Sequence, residues 1–293
     1  MAVHDVKDSL DCLDALPPLP AVVTRLLACL GREDVALDEL DDTVKQDPIL
    51  AARILRVSNS VMHGARVPAR STRDALLRLG LVEVRRLAVA LSVTNALPVA
   101  RHADEYRGFW QHSLGVAWTA QEIARRVRTL PPGIGPDELF LAGLFHDIGQ
   151  LVLVNRYPTF LGAVRDLARE QEIRQFEAEM VVLGVDHGEL GARVARHWQM
   201  PDFVIESVRA HHQVDRAWEP FRWHAAVVSA ADFLYSAQGL GDLGEAYPLE
   251  LTEDTWELLG LEALGLTRED SDALSRSVAE EATRCALILG VTR

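Results

Sequence analysis

Apolar residues recur at helical spacing through most of the 293-residue chain. In the first third, this pattern follows the proline-rich segment Leu16–Pro20 and predicts helices over residues 22–30, 37–44 and 48–60. Asp47 and Pro48 form a helix start, because aspartate caps a helix and proline suits its first position. No segment shows the alternation typical of a strand, so the sequence predicts an all-α fold.

The pattern continues beyond residue 60. Ser71–Asp74 resembles a capping box ahead of a short helix that Gly80 ends, and a further helix is expected from Val82 to Leu97. Polar residues then interrupt the apolar periodicity around residues 98–106. We therefore expect two parts: an N-terminal helical part (1–103) packed on a helical core with C-terminal helices (104–293).

The second part places imidazoles and carboxylates on apolar faces or at helix ends. His112 shares a stripe with core residues, and Asp186 is an N-cap that would put His187 in a first helical turn. We expect Gly149 to end a helix whose last turn carries His146 and Asp147. The candidate metal ligands are His112, His146, Asp147, His187, His211, His212 and Asp232.

This set of side chains has the chemistry of a transition-metal site. Imidazole and carboxylate together suit iron, manganese, zinc or nickel, whereas magnesium and calcium prefer oxygen ligands. Asp232 lies in the apolar run 225–235, where an ionised carboxylate is costly unless a cation or hydrogen bonds compensate it. One ion, or two ions bridged by a carboxylate, would satisfy the cluster.

Two other interpretations stay open at this point. Each of these residues taken alone is more often an ordinary core or helix-end residue than a ligand. Adjacent side chains on a helix also diverge, which would leave either His211 or His212 facing solvent. His212 is therefore the least secure member of the set.

Composition limits the class of protein. The net charge of −13 argues against broad binding to DNA or to an anionic membrane. The longest nearly apolar stretch, residues 87–100, is too short to span a bilayer, and the acidic N-terminus lacks the apolar region of a secretory signal. The three cysteines are far apart in the sequence, which is consistent with reduced thiols and a cytoplasmic protein.

Several motifs carry a resemblance to known families. Residues 140–149, Phe-Leu-Ala-Gly-Leu-Phe-His-Asp-Ile-Gly, resemble the signature of the HD superfamily of metal-dependent phosphohydrolases, and the order of the ligands is similar to that of the HD-GYP phosphodiesterases. The first half resembles the HDOD family, the HD-related output domains of bacterial signalling proteins. That likeness rests on Leu16–Pro20, Asp47–Pro48, Ile54–Ser60 and Ala75–Gly80.

Two departures from the hydrolase pattern matter for function. HD-GYP enzymes usually have a phosphate-binding lysine where this chain has Gln150, and the residues after His211–His212 include no Gly-Tyr-Pro. Most HDOD domains have lost metal ligands and are thought to be non-catalytic. The resemblance thus implies a signalling protein that binds partner proteins and has a metal-capable pocket. The alternative is a metal-dependent phosphodiesterase acting on a nucleotide, in which Asp147 bridges the metals and His187 helps to position the phosphate.

Overall fold

The computed structural model describes residues 19, 21–30, 32, 35–59, 68–96, 103–126, 130–131, 133–156 and 158–237. Most of the segment Leu16–Pro20, together with Ser60, Leu97 and the C-terminal helices expected after residue 237, lies outside the described residues. The described part of the chain contains helices and no strand, which confirms the all-α prediction. None of its helices is both long and apolar enough to cross a membrane.

The helices belong to two compact units. In the described residues of one unit, five helices are present: Ala21–Leu30 (α1), Leu37–Lys45 (α2), Pro48–Ser58 (α3), Thr72–Leu79 (α4) and Leu81–Ala96 (α5). The other contains, among the described residues, Ala103–Arg126 (α6), Pro136–Phe145 (α7), Ile148–Arg156 (α8), Pro158–Gln171 (α9), Gln175–Leu183 (α10), His187–His197 (α11), Asp202–Ala210 (α12) and Arg222–Ser236 (α13).

Local signals fix the helix starts in the first unit. The Asp47 side chain accepts hydrogen bonds from the backbone N–H groups of Ile49 and Leu50, so it caps α3 as predicted. The capping box that precedes α4 is also present: the Ser71 hydroxyl accepts from the Asp74 N–H, and the Asp74 carboxylate accepts from the Ser71 N–H. These contacts satisfy N–H groups that the first turn of a helix leaves unpaired.

The second unit is built around α6, α7 and α13, which pack against one another. Their buried residues include Val116, Ala142, Val227 and Tyr235. A second layer pairs α8 with α11 and α9 with α10, around Leu153, Val164 and Leu190. α12 contacts α7, α11 and α13, and so connects the two layers.

One prediction about this unit is wrong. Gly149 does not end a helix: α7 ends at Phe145, His146 and Asp147 form a turn, and Gly149 lies in the first turn of α8. Its backbone is not in the left-handed region, unlike that of Gly184, which ends α10 at φ +72°. Position 149 requires a glycine for a different reason, namely the close approach of α11 to α8 beside the site.

Candidate metal centre

Five different parts of the second unit contribute to one buried cluster. His112 comes from α6, the His146–Asp147 turn joins α7 to α8, and His187 is the first residue of α11. The His211–His212 turn follows α12, and Asp232 lies in α13. All of these residues are buried except His212, which is partly exposed. The structure thus brings together all seven residues singled out in the sequence.

Glycines allow the contributing helices to approach closely. A Cβ atom on Gly149 would lie 1.9 Å from the His187 carbonyl oxygen and 2.7 Å from the Gly191 nitrogen, so only glycine fits between α8 and α11. Gly143 does the same where α7 meets α6, because its Cβ would lie 2.8 Å from the Ala117 Cα. These contacts bring the His146–Asp147 turn beside both His112 and His187.

Asp147 lies between two groups of histidines. Its Oδ2 atom is 3.6 Å from His112 Nε2 and 3.4 Å from His146 Nε2. Its Oδ1 atom is 3.2 Å from His187 Nε2 and 3.4 Å from His211 Nε2. One carboxylate therefore presents one oxygen to each group and could contact a cation on either side.

The remaining two residues each join one group. Asp232 Oδ1 lies 3.2 Å from His112 Nε2 and 4.0 Å from His146 Nε2. His212 Nε2 lies 2.8 Å from His187 Nε2. Both His211 and His212 lie beside the cluster because α12 ends at Ala210 and they form the turn that follows, and His212 is the partly exposed member of the pair. His212 also stacks on Phe176, with ring centroids 4.8 Å apart.

Hydrogen bonds to Nδ1 fix the tautomer of three of the histidines. His146 Nδ1 lies 2.8 Å from the Gly143 carbonyl, and His211 Nδ1 lies 2.8 Å from the Val208 carbonyl. His187 Nδ1 lies 2.7 Å from Glu179 Oε2. Because a carbonyl or carboxylate only accepts, each Nδ1 carries a proton, and each Nε2 is left to face the cluster.

The sequence analysis did not identify Glu179. A signal for it exists, because Phe176, Glu179 and Leu183 share the helical spacing of one buried face of α10. A glutamate on such a face requires a partner in the interior. Gln150 also contacts the site directly, since its amide donates to Asp147 Oδ2 at 3.0 Å.

The electrostatics of the cluster favour ionised carboxylates. Burial alone would raise the pKa of Asp147, but His146, His187 and His211 hold it well below its usual range. Burial likewise opposes the lowered pKa of Asp232, which His112 and His146 bring about. Both aspartates therefore carry negative charge at neutral pH.

The histidines respond in opposite directions. Burial alone would lower the pKa of His187, but Glu179 and Asp147 raise it well above its usual value. The pKa of His112 is also raised against the effect of burial, by Asp232 and Asp147. Burial, reinforced by His211 and His187, lowers the pKa of His212 well below its usual value. His212 is therefore neutral and has a lone pair available for a cation.

The donor set fits a metal ion on several observations. Ligand atoms of Asp147, His187, His211 and His212 lie within 4.8 Å of one another, as do those of His112, His146 and Asp147. Asp147 Oδ1 and His211 Nε2 are buried and have no hydrogen bond to the described residues, although they lie at ion-pair distance. Two pairs of imidazole Nε2 atoms also face each other, His112 with His146 at 3.3 Å and His187 with His212 at 2.8 Å, and each pair requires a proton or a cation nearby. These buried groups could therefore hold a metal.

Comparisons with known proteins agree with this fold. The family model described as HDOD domain matches residues 16–214. A solved HDOD domain protein of unknown function from Geobacter sulfurreducens is 25% identical, with a TM-score of 0.77 over 98% of this chain and 97% of that one. A protein from Marinobacter aquaeolei VT8, whose name proposes a role in signal transduction, is 26% identical, with a TM-score of 0.79 over 98% of this chain and 66% of that one.

Two further proteins are similar to this chain. A Shewanella amazonensis SB2B protein, whose name proposes a phosphohydrolase, is 26% identical, with a TM-score of 0.69 over 95% of this chain and 96% of that one. An uncharacterized protein of Treponema pallidum (strain Nichols) is 25% identical over 222 residues, which are 76% of this chain. This chain covers only 42% of the length of that relative.

Proposed function

The chain belongs to the HDOD domain family, and from that premise we propose that it is a bacterial signal-transduction protein that acts by binding other signalling proteins. Its HD-type pocket holds one or two divalent transition metals, namely iron, manganese, zinc or nickel, and it has little or no hydrolase activity. We further propose the domain boundary at residues 103–104 and a cytoplasmic location, the latter supported by the spacing of the cysteines.

One observation carries the non-enzymatic part of this proposal. Gln150 lies at the sequence position where HD-GYP phosphodiesterases usually have a lysine. Its neutral amide donates a hydrogen bond to Asp147 Oδ2. Among the described residues, Asp147 and Asp232 form ion pairs only with histidines, and no lysine or arginine pairs with either. Phosphoryl transfer depends on stabilising charge, and among its described residues this pocket offers no side-chain cation other than a protonated imidazole to add to the charge of a bound metal.

The pocket residues divide into two ligand groups around Asp147. A first ion would be held by His112, His146, Asp147 and Asp232, and a second by Asp147, His187, His211 and His212. When bound, such metals polarise phosphoryl oxygens and lower the pKa of water. In a signalling protein, the same residues would tie α6, α7, α11, α12 and α13 together, so that metal or phosphate binding alters the surface offered to a partner.

A second candidate function is a metal-dependent phosphodiesterase or phosphohydrolase that acts on a nucleotide, including cyclic dinucleotides. The observation that favours it is the position of Asp147, with one carboxylate oxygen toward each histidine group. In that case Asp147 would bridge the metals, and His187 or a neighbour would orient the phosphate.

A single set of assays separates the two candidates. The chain is purified without chelator, its metal content is measured by elemental analysis, and it is loaded in turn with manganese, iron and zinc. Each form is then incubated with cyclic dinucleotides, nucleoside phosphates and a generic phosphodiester. We expect bound metal without turnover. Turnover that is lost in Asp147→Ala would instead establish the hydrolase.

A further inference from the structure

Glu179 is a buried carboxylate outside both proposed ligand groups. Its side chain is completely buried in α10, where its Oε2 atom accepts hydrogen bonds from the backbone N–H and the Nδ1–H of His187, both at 2.7 Å. Its Oε1 atom accepts from the Gln175 amide at 3.1 Å. Within the described part of the chain, no lysine or arginine pairs with it. Burying a carboxylate is costly, and here His187 and Gln175 are the residues that compensate it. The contact with His187 therefore points to a role in the site.

We propose that Glu179 is a positioning residue that prepares His187 to bind the second metal ion. It holds the proton on Nδ1, directs Nε2 toward Asp147 and His212, and makes the Nε2 lone pair a stronger metal ligand. This inference rests on the proposed function, because it requires a cation at the group formed by Asp147, His187, His211 and His212.

The geometry distinguishes His187 from the neighbouring histidines. His146 and His211 donate their Nδ1–H to backbone carbonyls, which are neutral. His187 donates to a carboxylate, and a carboxylate acceptor makes an imidazole more basic than a carbonyl does. The two bonds to one Glu179 oxygen also fix the ring relative to the start of α11. With the ring so held, His187 Nε2 lies 3.2 Å from Asp147 Oδ1 and 2.8 Å from His212 Nε2.

The test compares zinc affinity in Glu179→Gln with that in the wild-type protein. Glutamine keeps the size and one accepting oxygen but removes the charge. Gln175 Oε1 is buried without a hydrogen bond in the described structure, so it can turn to accept the new amide. We expect zinc competition against a chelator to show about 10–100-fold weaker binding of one ion, the usual effect of losing an outer contact to a metal-binding histidine.

Glu177→Gln is the matched control. Glu177 lies on the same helix but is exposed, and its carboxylate accepts from the Arg174 N–H at the start of α10. This variant weakens the helix start without touching His187, so its zinc affinity should equal that of the wild type. Equal losses in both variants would show that α10 stability, and not the contact with His187, controls binding, and would overturn the inference.

A spectroscopic measurement separates positioning from a merely structural role. In the zinc-loaded protein, ¹⁵N spectra should show His187 bound through Nε2, with a slowly exchanging Nδ1–H whose signal moves upfield in Glu179→Gln. Wild-type affinity in Glu179→Gln would overturn this inference and leave the metal pocket intact. Failure of the wild-type chain to bind zinc at all would overturn the proposed pocket together with the inference.

Discussion

His187 and His212 approach each other through their Nε2 atoms, which lie 2.8 Å apart in the interior of the second unit. Two imidazole nitrogens at this distance repel unless a proton or a cation lies between or beside them. The raised pKa of His187 supplies such a proton on its Nε2, and the low pKa of His212 leaves its Nε2 able to accept that proton or to bind a metal. We propose that a metal cation takes the place of this proton when it binds.

Zinc should accordingly stabilise the protein against heat. At a free concentration of 100 times its Kd, a ligand specific for the folded state adds about 2.7 kcal/mol, which raises Tm by roughly 5–10 °C for a unit of this size. Differential scanning calorimetry with and without zinc measures this shift, and a chelator should reverse it. Magnesium at the same concentration is the control, because it prefers oxygen ligands. Equal stabilisation by the two ions would contradict a histidine site.

Gly149 provides a test of the packing that assembles the site. Gly149→Ala places a Cβ against the backbone of His187 and Gly191, which cannot move independently of α11. We expect a loss of about 1–3 kcal/mol or more in the free energy of unfolding, measured with urea, together with weaker zinc binding.

Gly162→Ala is the control for this substitution. Gly162 is an exposed residue inside α9, and a Cβ there meets nothing within 4 Å. Alanine should therefore leave stability unchanged or raise it by about 0.5–1 kcal/mol, since it favours a helix over glycine. If both alanine variants behave alike, the close approach of α8 and α11 is not what limits the site.

The sequence predicts some features of this fold well because they depend on local chemistry. The N-cap at Asp47 and the capping box at Ser71–Asp74 involve residues only a few positions apart, so their spacing alone identifies them. Asp232 could be identified because a carboxylate in an apolar run needs a partner in the interior, whichever segment of the chain supplies it. The structure brings it beside His112, 120 positions away.

Other features depend on contacts that no local pattern contains. Gly149 was expected to end a helix, since glycine is common after a last turn, but it is required instead by the approach of α11. The same limit applies to Glu179, whose importance follows from a bond to His187 in the next helix. His211 and His212 both reach the site because α12 ends at Ala210, before either of them.

Asp41 in α2 should contribute a pH-dependent stability. Burial would raise its pKa, but hydrogen bonds from Lys45, at 2.5 Å, and from the Thr72 hydroxyl lower it below its usual value. A carboxyl whose folded pKa lies below the unfolded value of about 3.9 stabilises the fold above that pH. This contribution is lost as the pH falls through the folded pKa.

Asp41→Asn should therefore reduce the free energy of unfolding by about 1–3 kcal/mol at neutral pH. The difference from wild type should shrink as the pH falls below about 3.9. Urea unfolding at a series of pH values measures both effects. Asp42→Asn, at the exposed neighbouring position, is the control and should change stability little at any pH. A constant difference between Asp41→Asn and wild type across this range would show that the ion pair with Lys45 does not stabilise the fold.

The two aspartates of the pocket should differ in how many ions they affect. Asp232 lies near the histidines of the first group only, whereas Asp147 presents one oxygen to each group. Asp232→Asn should remove one zinc ion and leave the other, while Asp147→Asn should weaken both by about 100-fold or more, which exceeds the usual effect of losing an outer contact. Calorimetric titration and elemental analysis measure the two stoichiometries.

Asp186→Asn is the control, because asparagine caps a helix as well as aspartate and this residue caps α11 from outside the cluster. If Asp232→Asn and Asp147→Asn lose the same number of ions, Asp147 does not bridge two sites, and the pocket holds a single metal.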